Sequence, residues 1–190
     1  MPARYIVVTK TCGPHPGKKP ITDYPIKPPL FSKALSLMFE IILFAPQIPP
    51  NTGNIIRLTA NSGNRLHLVK PLGFKLDEKS CRRAGLDYHA LSDVHIHSDL
   101  ATCLDWLEKP RLFAVTTKGK DTIYDRAFAP GDAFLFGSET SGLPVNIHAH
   151  IASDHKLRLP MVANNRSLNL ANAVSIVIYE AWRQHDFAGS

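Results

Sequence analysis

The sequence predicts an α/β fold, a mostly parallel sheet with helices on both faces. Three observations lead to it. Six short β-rich runs recur from residue 39 onward, at 39–45, 65–70, 94–97, 111–116, 133–136 and 156–159. Several of them are apolar throughout rather than in alternation, as strands covered on both faces are. Helical patterns separate several of them, at 52–62, 77–84, 99–108 and 167–185, which is how parallel strands are connected. No internal repeat is present.

Residues 1–37 precede this pattern and differ from it in kind. They hold seven of the 15 prolines and a net charge of +5, from Arg4, Lys10, Lys18, Lys19, Lys27 and Lys33 against Asp23, out of +6 for the whole chain. No helical or strand period continues past Val8, so a flexible, basic, Pro-rich extension is expected, with the domain at 38–190. The charged, apolar and small-residue regions of a secretory signal are missing. Two readings stand for the segment: an upstream addition with no part in the domain, or a basic arm touching RNA. The domain keeps only +1, so an RNA-binding surface must come from local clusters of Lys and Arg.

The domain has the means to fold alone, since 44% of the 190 residues are apolar. Its longest apolar runs, 41–45 and 173–179, are far short of the roughly 20 residues of a membrane span. Cys12, Cys81 and Cys103 form no C-x-x-C pair, which argues against a disulfide framework or a thiolate zinc site and for a reducing, cytoplasmic setting. Cys81 and Cys103 are expected to be small buried residues. His95 and His97 alternate along one strand face, yet no third ligand stands at a recognisable spacing, so no metal is expected.

In an open α/β sheet a ligand sits outside the carboxyl ends of the strands, so the loops there carry the chemistry. The run at 39–45 leads into "PQIPPNTGNIIR", where two prolines stiffen the loop and Asn51 or Thr52 is expected to cap the next helix. Asn54, Arg57 and Asn61 then line one face of it. The strand at 133–136 leads into "GSETSGLP", with Glu139 between Gly137 and Gly142; glycines let backbone approach a ligand, and the carboxylate accepts from amides or holds an Arg. This is neither a dinucleotide fingerprint nor a P-loop. The strand at 156–159 leads into "PMVANNRSLNL", with Ser167 expected as cap of the last helix. On that helix Asn169, Asn172, Ser175 and Tyr179 form a polar stripe, while Leu170, Val174, Val177, Ile178 and Trp182 cover the rest. A helix so apolar is expected to face another subunit with part of its surface.

Five phrases in this order, "IPPNTGNIIRL" (48–58), "RRAGLDYH" (82–89), "LFAVTTKG" (112–119), "FGSETSGLP" (136–144) and "RLPMVANNRSLNLANAVSIVIYEAWRQ" (158–184), resemble the SPOUT (TrmH-like, trefoil-knotted) RNA methyltransferases. Within that family they resemble the group that methylates the ribose 2'-hydroxyl of the tRNA wobble nucleotide. The resemblance implies an α/β domain with a C-terminal trefoil knot and a homodimer built through the last helix. It implies S-adenosylmethionine as cofactor, no metal, and the tRNA anticodon stem-loop, among leucine isoacceptors, as partner. Carried over by position, Val115, Thr116, Gly137, Glu139, Leu159, Met161 and Ser167 would bind the cofactor, with Thr117 beside them. Arg57, Ser167 and Asn169 would be catalytic, Arg57 acting from the opposite subunit. Arg57, Arg82, Arg83, Lys118 and Tyr179 would bind substrate, with Lys120 nearby. Ser138 stands where the family often has proline, and "VANN" replaces a Pro-Asp turn; both bear on loop shape.

Arg is a poor proton acceptor at neutral pH, so Arg57 is expected to bind the adjacent phosphate and stabilise the developing alkoxide. Two other readings remain at this point: a family member acting on another tRNA or rRNA ribose, and a non-catalytic protein that binds RNA or cofactor.

Overall fold

The computed structural model describes residues 39–75, 93–163, 165 and 167–190. The expected helix at 77–84, with Cys81, Arg82 and Arg83, lies outside the described residues, as do Asn164, Arg166 and the extension at 1–37.

In chain order the elements are β1 (Glu40–Phe44), α1 (Pro49–Ser62), β2 (Arg65–Val69), β3 (Val94–His97), α2 (Leu100–Trp106), β4 (Leu112–Val115) and β5 (Asp121–Thr122). A 3-10 turn (Ile123–Asp125), β6 (Ala133–Phe136), α3 (Val145–His150), a second 3-10 turn (Ser153–His155), β7 (Lys156–Arg158) and α4 (Leu170–Arg183) follow. The seven strands form one sheet in the order β3-β2-β1-β6-β4-β7-β5, with each neighbouring pair parallel. The chain winds outward from β1 to β3 and then resumes on the other side of β1. The β1/β6 boundary is therefore the switch point at which α/β sheets open a crevice.

Side-chain alternation assigns the two faces. Ile41, Leu43, Leu66, Leu68, Phe134 and Phe136 point to the side covered by α1 and α4, where Ile55, Ile56, Val174, Val177 and Ile178 close the larger core. Ile42, Val69, Ala114 and Leu135 point the other way, toward Cys103 of α2 and toward Leu143 and Ile151. Both faces are thus apolar, which is why the strands read as near-continuous hydrophobic runs. No helix among the described residues is long and apolar enough to cross a membrane.

Two helix starts differ from expectation. Helix α1 begins at Pro49, three residues before the expected Thr52, and neither Asn51 nor Thr52 caps it. Proline suits the first helical turn because its fixed φ is already helical and its missing N–H has no partner to lose. Gly63, with φ at 66°, ends the helix in the left-handed conformation, and its N–H bonds the Thr59 carbonyl. Helix α4 begins at Leu170, and its cap is Asn169 rather than Ser167: the Asn169 Oδ1 accepts from Ala171 N at 2.9 Å and Asn172 N at 3.4 Å. Ser167 stands three residues before the helix. The strand β5, two residues long, had no periodicity by which to be expected.

Candidate active site

The loops that leave β1, β4, β6 and β7 meet at the carboxyl end of the sheet and enclose a cavity of about 630 Å³. That volume falls within the roughly 300–1,000 Å³ of small-molecule sites. Its walls include Val115, Thr116, Thr117 and Lys118 after β4, Gly137 to Leu143 after β6, and Leu159, Met161, Ser167 and Asn169 between β7 and α4.

A set of hydrogen bonds across large sequence separations holds these loops together. The Glu139 carboxylate accepts from the backbone of Gln47 at 2.8 Å and of Ile48 at 3.2 Å, and from Asn51 Nδ2 at 3.0 Å. It thereby places a negative charge at the start of α1, whose own N-cap residue, Ile48, has no side chain able to serve. Asn51, 6% exposed, passes the link on: its Oδ1 accepts from Asn169 Nδ2 at 2.9 Å. Asn169 thus caps α4 and ties it to α1 with opposite ends of one amide. Both ends of the buried Asn51 amide are thereby satisfied, while Asn169, exposed at the entry to an apolar helix, is held by the cap and by this link.

The loop after β6 is shaped by close approach. Ser138 and Gly142 exchange backbone hydrogen bonds at 3.2 and 2.8 Å, which closes the five-residue loop around Glu139. Gly142 adopts φ of 67° there. A Cβ on Gly137 would collide with the backbone of Gly142 and Leu143, so glycine alone fits. After β4, Thr116 N continues the ladder to Leu157 O at 2.8 Å, and the turn brings Gly119 against the backbone of Leu157 and Arg158.

The expected cofactor residues Val115, Thr116, Gly137, Glu139, Leu159, Met161 and Ser167 all lie on this one cavity, together with Asn169 and Lys118. Arg57 and Tyr179 do not line it. Arg57 is exposed on α1, and Tyr179, half exposed on α4, packs its ring edge against Trp182 at 5.8 Å between centroids. Sequence reasoning missed His148, which lines the cavity from the six-residue helix α3, too short to show a period. Burial, with Lys118 and Lys156 nearby, holds the His148 imidazole below its ordinary range, which favours its neutral form at neutral pH.

Separating the two roles of the α4 entry gives a direct test. Asn169→Ala is expected to lower unfolding free energy by about 1–2 kcal/mol through the lost cap. Ser167→Ala is expected to stay within about 0.5 kcal/mol of wild type in the same denaturant titration. A Ser167→Ala loss as large as that of Asn169→Ala would contradict the cap assignment.

Residues 38–179 match the model of the SpoU rRNA Methylase family. The chain is 56% identical over 153 residues to a tRNA (cytidine(34)-2'-O)-methyltransferase of Methylovorus glucosotrophus (strain SIP3-4), an alignment covering 80% of this chain and 99% of that relative. Among solved structures it is similar, at a TM-score of 0.72 and 41% identity, to a protein described in terms of 2-OH methylation of C/U34 on tRNA, with 79% of this chain and 97% of the other covered. It is also similar, at a TM-score of 0.68 and 26% identity, to the SpoU methyltransferase AviRb from Streptomyces viridochromogenes in complex with the cofactor AdoMet, with 83% and 61% covered.

Proposed function

This chain belongs to the SpoU methylase family, and from that premise we propose that it methylates the ribose 2'-hydroxyl of nucleotide 34, the wobble nucleotide of tRNA, with S-adenosylmethionine as donor. The observation that carries the reading is the match, at more than half identity, to a relative named for this reaction across nearly that relative's whole length. The family match also begins at residue 38, which supports a domain at 38–190 and an extension at 1–37. A tRNA substrate supports the reading of a cytoplasmic enzyme.

The cavity's volume, its apolar walls at Val115, Leu159 and Met161, and the bare backbone at Gly137 support it as the seat of the cofactor. When bound, S-adenosylmethionine supplies an electrophilic sulfonium methyl. The protein's task is then to align one hydroxyl and to stabilise the charge that develops on it. Glu139 and Asn51 hold the cavity's walls in register, and Asn169 fixes the start of α4 against them. Ser167 offers a hydroxyl at the cavity that no cap function occupies. Lys118 at the mouth favours the polyanionic substrate, and Arg82 and Arg83, with Tyr179, are assigned to the anticodon stem-loop.

Arg57 stands outside the cavity of its own chain, so it is assigned to the site of a second copy, packed through α4. Its planar guanidinium binds the phosphate next to the reacting ribose and stabilises the incipient alkoxide. Methyl transfer from labelled S-adenosylmethionine to total tRNA of a strain lacking the activity tests the reading. Label is expected on the ribose of nucleotide 34. Label on ribosomal RNA or at another tRNA nucleotide would move the substrate, and cofactor binding without transfer to any RNA would overturn the enzymatic reading.

A further inference from the structure

A second cluster of reactive side chains lies under α2, and none of its members lines the cavity. His67 of β2, His97 of β3 and Cys103 of α2 are buried, at 0%, 6% and 0% exposure, and each turns one potential ligand atom to a common point, all within 4.8 Å of one another. His95, which alternates with His97 along β3, is not part of this set; its ring stacks on His67 at 5.3 Å between centroids and packs, tilted, against Trp106 at 4.6 Å.

We propose that His67, His97 and Cys103 form a binding site for a thiophilic divalent cation of the zinc class, separate from the methyl-transfer site. Two imidazoles and a thiolate are the ligand types such ions select, and magnesium or calcium would be disfavoured by a set with no oxygen donor. The surroundings of His67 carry the argument further. Its Nε2 stands 2.9 Å from Glu40 Oε2, and Glu40, buried to 2% exposure, is itself held by Arg65 Nε at 3.0 and 3.1 Å. A carboxylate behind a histidine fixes the ring's tautomer, with the proton on Nε2 and the lone pair of Nδ1 facing the cluster, the arrangement found behind metal-ligating histidines. His67 Nδ1 and His97 Nε2 are 3.0 Å apart, against about 3.3 Å for two nitrogens each about 2.0 Å from a tetrahedral ion. The sulfur has to close by at most about 1.3 Å to reach the same ion.

With the His67 proton on Nε2 alone, facing Glu40, His97 Nε2–H donates to His67 Nδ1 in the metal-free protein. On binding, the His97 proton shifts to Nδ1 and stays on the ring, while the Cys103 thiol proton leaves to solvent, so one proton is released per ion. Three protein ligands leave the fourth position of a tetrahedral ion to water, which enters beside His97, the one ligand with measurable exposure.

The chain has three cysteines, so in the full-length Cys12→Ala/Cys81→Ala protein Cys103 is the sole thiol. Titrated with cobalt(II), this protein is expected to develop a thiolate-to-cobalt charge-transfer band that saturates at one ion per chain and releases one proton. Zinc is expected to bleach the band stoichiometrically. Adding Cys103→Ala is expected to abolish it while methyl transfer persists. Were either multiple variant to misfold, wild type against the single Cys103→Ala variant carries the same comparison, with loss of one band equivalent expected. A folded protein that keeps Cys103 and gives no band, or a band that survives Cys103→Ala, overturns the proposal and leaves Arg65, Glu40, His67 and His97 as a hydrogen-bonded chain.

Discussion

Glu139→Gln is expected to lower unfolding free energy by about 2–3 kcal/mol and to weaken S-adenosylmethionine binding about tenfold or more. The carboxylate accepts from three donors, the backbone N–H groups of Gln47 and Ile48 and the side-chain amide of Asn51. Glutamine has the same shape but replaces one oxygen with an NH2 group. In one orientation that group faces Gln47 N, and in the other it faces both Ile48 N and Asn51 Nδ2, so a donor always meets a donor. Hydrogen bonds to a charged group contribute about 1.5–3 kcal/mol each, and the negative charge at the start of α1 goes as well. The loss falls where the loops after β1 and β6 are joined, so the cavity loosens, and 1.4 kcal/mol of reorganisation already amounts to about tenfold in affinity. Denaturant titration and calorimetric cofactor titration read the two effects separately. Wild-type affinity in Glu139→Gln would mean that the junction does not shape the cavity.

Arg57→Lys is expected to lower turnover by about 100-fold or more while leaving stability within about 0.5 kcal/mol of wild type. Arg57 is exposed on α1, so its loss opens no cavity in the core. Lysine keeps the charge but replaces the planar fork with a point charge on a flexible stem. Removing one positioned donor from a developing oxyanion costs about 100- to 1,000-fold in the systems where it has been measured. Retention of near-wild-type turnover would exclude a bidentate role. The origin of the guanidinium is tested with mixed dimers. If Arg57 acts across the interface, an Arg57→Ala chain paired with a Gly137→Ala chain rebuilds one complete site and recovers activity. A chain carrying both substitutions, paired with wild type, gains no mixed-dimer activity. The opposite pattern would put Arg57 in its own chain's site.

Much of this was legible in the sequence, for identifiable reasons. Strands β3 and β6 occupy the very residues their patterning indicated, because Val94 with Ile96 and Phe134 with Phe136 are strand formers in short runs bounded by turn residues. The cavity-lining loops were legible as phrases, since Gly137 marks backbone that must pass close to other backbone and Gly142 a left-handed turn. Helix ends were less so. Asn51 and Ser167 both have the chemistry of caps, but Glu139 serves α1 from 88 or more residues away, and Asn169 displaces Ser167 because α4 starts where it can reach Asn51.

The sequence by itself determined the class of fold, the alternation of strands with helices and the three loops that bear the chemistry, because these follow from local propensity and patterning. Only the tertiary structure decided which polar groups satisfy one another. Asn169 and Asn51 are 118 residues apart, and His67 and His97 30 apart with Cys103 on a separate helix. Such pairs are set by strand order and register, and a hydrogen bond that spans the fold leaves no period in the chain.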